Sequence, residues 1–211
     1  MRRTDEGEVD GGMRVLRADG RAAAPWSNGG GVTREVAVRP RGAAWDTFDW
    51  RVSLADVTRD GPYSPLPGIR RILTVVDGAG VELTVDGSPH RLPGRFRPFA
   101  FSGAAPTGCR LLDGPIVNLN VMLREGRAGA TVEIVRGAGE VPPEEGREVL
   151  VVALEGSATV TARPEGPRAG DASRAQLGRF DAGLLPERWS AVLRTEGVAA
   201  VITLTAGGAG V

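Results

Sequence analysis

The sequence predicts an all-β protein built as two tandem barrels, and three observations predict it. Short apolar runs recur along the 211-residue chain, and none carries a long amphipathic helical period. The 31 glycines and 15 prolines fall between those runs with no three-residue period, as turns between strands do. One pattern of strands and turns also occurs twice.

The elements read as follows. Residues 32–38 form the first clear strand. Residues 48–57 alternate, with Trp50, Val52 and Leu54 against Arg51, Ser53 and Ala55. Residues 72–76 are a continuous apolar run, and 81–85 alternate again. Asp86-Gly87 then signals a hairpin into a stretch ending at Leu92. Residues 117–123 set Asn118, Asn120 and Met122 against Val117, Leu119, Val121 and Leu123. Later runs cover 149–154, 158–162, 182–185, 190–193 and 198–204.

The repeat pairs Ile-Leu-Thr-Val-Val-Asp-Gly at 72–78 with Leu-Val-Val-Ala-Leu-Glu-Gly at 150–156. It also pairs Leu92-Pro93-Gly94-Arg95-Phe96 with Leu177-Gly178-Arg179-Phe180. The offset grows from 78 to 84, so the second copy holds an insertion, placed in the polar stretch 163–175 as an exposed loop. An apolar strand, an acid-glycine turn, a second strand and a glycine turn into a third make a cupin half-barrel. Two copies make a double-stranded β-helix of the bicupin, RmlC-like kind. The expected organisation is a flexible tail over 1–12, a first barrel over 13–125 and a second repeat over 126–211. Residues 124–147, punctuated by Pro142-Pro143-Glu144-Glu145, read as the linker.

Composition removes several function classes. Hydrophobic residues make up 41% and charged residues 25%, enough apolar content for a core. The 26 basic and 26 acidic residues balance with no basic block, so no nucleic-acid partner is expected. All 26 basic residues are arginine, which excludes a Schiff-base or P-loop lysine. No apolar run reaches membrane-span length and the first dozen residues carry no secretory signal, so a cytoplasmic protein with no membrane partner is expected. A single cysteine, Cys109, fits a reducing compartment and reads as a buried small hydrophobe. Metal-dependent cupins use two or three histidines with a carboxylate. This chain has only His90, placed by Pro89 and the Asp-Gly turn at an exposed hairpin tip. No metal and no cofactor are therefore expected. A Ser-His-Asp triad and a dinucleotide fingerprint are likewise missing.

Four blocks carry a family resemblance. They are Pro25-Trp26-Ser27-Asn28-Gly29-Gly30-Gly31-Val32-Thr33-Arg34-Glu35, Trp50 to Ala55, Gly61 to Arg71, and Phe101-Ser102-Gly103 with Cys109-Arg110-Leu111, Gly114-Pro115 and Asn118-Leu119-Asn120-Val121-Met122. In this order, over residues 13–125, they resemble the HutD/Ves family. The resemblance implies a bicupin fold. It also implies a link, through some members, to histidine utilisation, as a moderator sensing an intermediate such as urocanate or formylglutamate. No established enzymatic activity comes with it. The chain departs from the family pattern at Ala104 and Asn118, where aspartates often stand, which disfavours a cationic ligand.

The residues themselves support a binding site. Arg51 and Ser53 share one strand face, and Asn118, Asn120 and Met122 share another. Facing into a barrel, they would supply donors, amides and a soft apolar surface. An arginine there favours a carboxylate through bidentate pairing. Trp26 and Asn28, beside three glycines, join them, with Thr33 and Glu35 closing the same segment; Glu35 is the most plausible acid for proton transfer. Arg70 and Arg71 are adjacent and cannot both face inward. Tyr63 and Ser64 sit in a proline-rich stretch that could cover a barrel mouth. The expected function is metal-independent binding of a small carboxylate metabolite. A metal-independent isomerase or lyase of a sugar or amino-acid derivative, and a scaffold with filled barrels, remain open. Edge strands leave a homodimer open as well.

Overall fold

Alternating apolar and polar residues between glycine turns make strands wherever each face finds a partner. In the computed structural model, which describes residues 8–10, 12–165 and 171–207, every regular element is a strand. No helix among the described residues is long and apolar enough to cross a membrane. The chain divides into two compact units. One comprises Arg21–Ala130 with Gly207; the other joins Thr131–Ala206 to the chain preceding Arg21.

The chain enters through β1 (Glu8–Asp10) and β2 (Met13–Leu16). The Arg21–Ala130 unit then runs through β3 (Ala23–Pro25), β4 (Gly31–Arg39), β5 (Trp50–Val57), β6 (Gly61–Tyr63) and β7 (Ile69–Asp77). It continues with β8 (Gly80–Val85), β9 (Ser88–Pro93), β10 (Phe99–Ser102), β11 (Thr107–Leu111) and β12 (Ile116–Arg124). These strands form two antiparallel sheets, ordered β10-β7-β12-β5-β4-β3 and β6-β11-β8-β9. Their inner faces share a core that includes Val57, Leu73, Val75, Val81, Leu83, Phe101 and Cys109.

The other unit is built from β13 (Ala128–Val141), β14 (Arg147–Glu155), β15 (Ala158–Pro164), β16 (Ser173–Leu177), β17 (Ala182–Leu185) and β18 (Trp189–Ala206). They join β1 and β2 in one sheet ordered β1-β2-β17-β14-β18-β15-β16, with β13 also paired to β18. Its core includes Met13, Val149, Val151, Val160, Leu177, Leu193 and Val201.

The sequence repeat is a structural repeat. β7 and β14 occupy matching places, and each is followed by a glycine of positive φ, Gly78 at 90° and Gly156 at 67°. Phe96 and Phe180 both adopt φ 67°, a left-handed conformation uncommon for an aromatic residue. Each donates its backbone N–H near the end of that strand, Phe96 to Val75 O at 2.8 Å and Phe180 to Ala153 O at 2.6 Å. Arg95 and Arg179 each stack on the phenylalanine that follows. The β8–β9 hairpin matches β15–β16, and β10 matches β17. What is β11 and β12 in one unit is the single strand β18 in the other. β18 pairs with β15 through its first half and β14 through its second, bending at Gly197, where an added Cβ would lie 2.1 Å from Glu155 O.

Several sequence boundaries need correction. Within the stretch expected to be a flexible tail, Glu8–Asp10 forms β1 and pairs with β2; residues 1–7 and 11 lie outside the described residues. Residues 13–20, expected in the first barrel, belong with the second: β2 pairs with β17, and buried Met13 and Val15 complete that core. The expected linker 124–147 contains the fourteen-residue β13, whose glycines and acids hid a strand held by pairing to β18. The expected loop 163–175 is shorter, since β15 reaches Pro164 and β16 starts at Ser173; residues 166–170 lie outside the described residues. His90 is not at a hairpin tip. It sits within β9, half-buried, its ring 4.8 Å from that of Phe99.

Candidate functional site

Strand register decides which side chains meet inside the Arg21–Ala130 unit. On β12, Asn120 lies between Ser53 of β5 and Leu73 of β7, and Met122 lies between Arg51 and Arg71. Residues directly paired across antiparallel strands share a face. Arg51, Ser53, Asn120, Met122 and Arg71 therefore form one inner wall. Beside this wall β4 sets Glu35 opposite Ser53, and the register shift between Glu35 and Ala37 makes Val36 the extra residue of a bulge. β10 sets Phe101 opposite Arg71.

This wall bounds a cavity of about 320 Å³, whose remaining lining comes chiefly from Trp26, Asn28, Trp45, Tyr63 and Leu66. The glycine-rich segment before β4 sets Trp26. Its backbone N–H donates to Gly31 O at 3.0 Å, and its indole Nε1 donates to Thr33 Oγ1 at 2.7 Å. At Gly31 an added Cβ would meet Asp56 O at 2.4 Å and the Trp26 ring at 3.2 Å, so only glycine lets the indole lie flat there. Asn28 Oδ1 accepts from Gly30 N–H at 2.9 Å, closing an Asx turn. The Trp26 ring meets Tyr63 edge-on, with centroids 6.0 Å apart.

The polar groups are unevenly satisfied. Arg71 is 6% exposed, stacks between Tyr63 at 4.8 Å and Phe101 at 5.1 Å, and donates through Nη2 to Asn120 Oδ1 at 3.1 Å. Asn120 Nδ2 in turn donates to Asn118 Oδ1 at 2.6 Å. No carboxylate pairs with Arg71 among the described residues, and its Nε has no partner. Burial lowers the pKa of this guanidinium, opposed by the adjoining Tyr63 and Cys109. Arginine starts so high that it stays charged at neutral pH. Burial first, and Cys109 second, push the Tyr63 phenol well above its ordinary value, so it is a neutral hydroxyl. The Tyr63 hydroxyl has no oxygen or nitrogen partner, and Ser53 Oγ, in a residue 1% exposed, has none either. Arg51 is paired instead, with Nη2 2.6 Å from Glu35 Oε2 and the guanidinium 5.0 Å from the Trp45 ring.

Of the residues singled out in the sequence, Trp26, Asn28, Thr33, Arg51, Ser53, Asn120 and Met122 lie together on the cavity. Glu35 and Asn118 are not on its wall. Glu35 touches it through Arg51, and fully buried Asn118 touches it through Asn120. Arg70 is exposed, so Arg71 is the inward member of the pair. Trp45 gave no sequence signal, and Leu66 stood out only as part of the Gly61 to Arg71 block. Tyr63 and Ser64 do reach the cavity from the proline-rich stretch. Among the described residues no group of three or more His, Cys, Asp and Glu is placed to hold a metal ion.

Paired antiparallel barrels of this topology, one enclosing a polar-lined cavity, define a cupin-type protein. The chain belongs to the HutD family, whose model matches residues 18–202. It is 39% identical over 129 residues to a Pseudomonas putida protein described as an uncharacterised 21.2 kDa protein in the hutC 3' region, covering 61% of this chain and 67% of that one. It is 34% identical over 110 residues to Protein Ves of Cronobacter sakazakii, covering 52% of this chain but only 59% of that relative. Its fold is similar to HutD from Pseudomonas fluorescens SBW25, with TM-score 0.78, 31% identity, and 93% and 100% of the two chains covered. Oxalate decarboxylase OxdC of Bacillus subtilis shares the fold alone, with TM-score 0.61 at 11% identity over 95% of this chain and 78% of that one.

Proposed function

We propose that the Arg21–Ala130 barrel binds a small carboxylate metabolite, and that the protein senses or moderates rather than transforms it. Arg71 is the observation that carries this. An arginine buried in an aromatic sleeve without an acid partner is costly unless an anion completes it. A carboxylate accepting from Arg71, with Tyr63 and Ser53 hydroxyls at hand, would satisfy the groups now lacking partners. The rest of the wall, Trp26, Leu66 and Met122, suits the apolar body of a metabolite. An open cavity in this barrel also argues against the filled-barrel scaffold. Glu35, the acid on which the isomerase or lyase alternative relies, is close to the cavity arginine Arg51 but lies off the wall and is held in an ion pair, which favours the binding reading. A role in histidine utilisation draws its support from the resemblance of this chain to the Pseudomonas putida and Pseudomonas fluorescens proteins.

Thermal denaturation with a panel of small acids, urocanate and formylglutamate included, tests the proposal. A ligand at a hundredfold its Kd adds about 2.7 kcal/mol. The expected result is stabilisation by at least one acid in the wild type and none in Arg71→Met. No stabilisation by any acid at millimolar concentration, or an equal response in the variant, would overturn it.

A further inference from the structure

Two arginines line the cavity, yet only one of them brings unbalanced charge. Met122 separates them on the sheet, pairing with Arg51 on one side and Arg71 on the other. Their backbones therefore stand two strand spacings apart, about 10 Å. Among the described residues Arg71 has no acid partner, whereas Glu35 holds Arg51 at 2.6 Å and Trp45 covers a face of its guanidinium. Glu35 is brought there by the β4 bulge, which keeps it opposite Ser53 while Val38 moves opposite Arg51. The pair is part-exposed, with side chains 20% and 38% accessible, a setting in which ion pairs contribute little to folding. Its larger consequence is for the charge that a ligand meets.

We infer, building on the carboxylate reading of Arg71, that Glu35 is a selectivity element that restricts this pocket to acids with one carboxylate. A monocarboxylate docked on Arg71 leaves the Glu35–Arg51 pair intact. A second carboxylate reaching toward Arg51 meets a guanidinium already neutralised and a like charge beside it. Repulsive elements of this kind discriminate between ligands that the attractive contacts alone would accept. The chemical class selected is a small monoanionic acid with an uncharged far end, which lies against Trp26, Trp45 and the neutral Glu35–Arg51 pair.

Titration calorimetry of pentanoate and glutarate at fixed ionic strength tests this, since the two acids match in length and differ in the second carboxylate. Wild type should bind pentanoate at least about tenfold more tightly than glutarate, a free-energy difference of about 1.4 kcal/mol. Glu35→Gln should tighten glutarate about tenfold and change pentanoate less than about twofold. The double variant Glu35→Gln with Arg51→Met should lose the glutarate gain, because the unmasked guanidinium is its source. Wild type preferring glutarate, a Glu35→Gln effect equal on both acids, or a gain that survives Arg51→Met would each overturn the inference while leaving the Arg71 site standing. Failure of folded wild type to bind either acid, while an acid of the thermal panel stabilises it, would overturn this inference alone; failure with every acid would remove the carboxylate reading and this inference with it.

Discussion

In the Thr131–Ala206 unit, β14 holds Val149 between Leu185 and Thr203, and Val151 between Gly183 and Val201. In the Arg21–Ala130 unit, β7 holds Arg71 between Phe101 and Met122, and Leu73 between Phe99 and Asn120. The frames match around these strands, but the contents do not. Arg71 corresponds to Val149, Asn120 to Val201 and Asn118 to Ala199, all three of the latter in an aliphatic core. Cys109, opposite Leu83, corresponds to Leu193, opposite Val160. At these positions one barrel carries aliphatic side chains, and the other carries Arg71, Asn118 and Asn120 beside a cavity. A barrel that only needed to be stable would be filled in the first way. The duplication thus provides an internal reference for which residues the fold requires.

The sharpest way to break the comparison is to transplant its central residue. Val149→Arg would place a guanidinium in the aliphatic core of Val151, Leu185 and Val201. An uncompensated buried charge costs at least about 3–5 kcal/mol, a large share of the stability of a typical domain. The variant should fail to unfold cooperatively in urea. A cooperative transition within about 1 kcal/mol of wild type would show that the aliphatic barrel tolerates polar contents, and the contrast would lose its meaning.

The next effect belongs to the aliphatic barrel alone. Asp181 follows Phe180, where the other repeat has Arg97 after Phe96. Its carboxylate accepts from Ala18 N–H at 2.6 Å, Arg17 Nη1 at 2.9 Å and Gly178 N–H at 3.1 Å, tying the chain after β2 to this unit. Burial raises its pKa, but the Ala18, Arg17 and Gly178 bonds outweigh it and hold the carboxyl below its ordinary value. A depressed folded-state pKa adds stability that is present above the unfolded pKa, near 4, and lost as pH falls through the folded one. Asp181→Asn should cost about 1–3 kcal/mol at neutral pH. In denaturation from pH 7 to pH 2, the gap between wild type and variant should close on the acid side. A gap that stays constant with pH would show that the carboxylate charge is not what holds the strand.

Much of this contrast was written in the sequence, and its register was not. The Ile72–Gly78 and Leu150–Gly156 echo located both barrels, because apolar strands closed by a positive-φ glycine carry a local signature. Alternation put Arg51 with Ser53 and Asn118 with Asn120, because parity within one strand is local too. Parity does not say which face turns inward, so Arg70 and Arg71 could not be separated until β7 was set against β12. Glu35 needed the bulge at Val36, and Tyr63 lies on a three-residue strand that no period reveals. Met13 and Val15 pack in the unit furthest from them in sequence, a long-range pairing that no window of sequence contains.

The remaining tests separate fold from function within the polar barrel, where the expected changes are smaller. Arg71→Met removes a buried cation without an acid partner and loses its stacking on Tyr63 and Phe101. Burial cost and lost contacts oppose each other, and apolar replacement of buried charge is often stabilising. The ligand-free protein should hold or gain up to about 2 kcal/mol in urea denaturation. A loss above about 2 kcal/mol would assign Arg71 to the fold and make it the counterpart of Val149 in purpose as well as place.

Ser53→Ala should be the smallest change. Ser53 is 1% exposed, its hydroxyl has no partner, and it faces the cavity opposite Asn120. A buried hydroxyl without a hydrogen bond is destabilising, so trimming it should leave stability unchanged or raise it by up to about 1 kcal/mol. If the hydroxyl is kept for a ligand, the same substitution should weaken binding by about 0.5–1.5 kcal/mol, the net worth of one hydrogen bond. The two measurements then move in opposite directions, which a residue kept for packing cannot do. A parallel loss of stability and affinity in Ser53→Ala would place this wall with the aliphatic barrel, as structure rather than site.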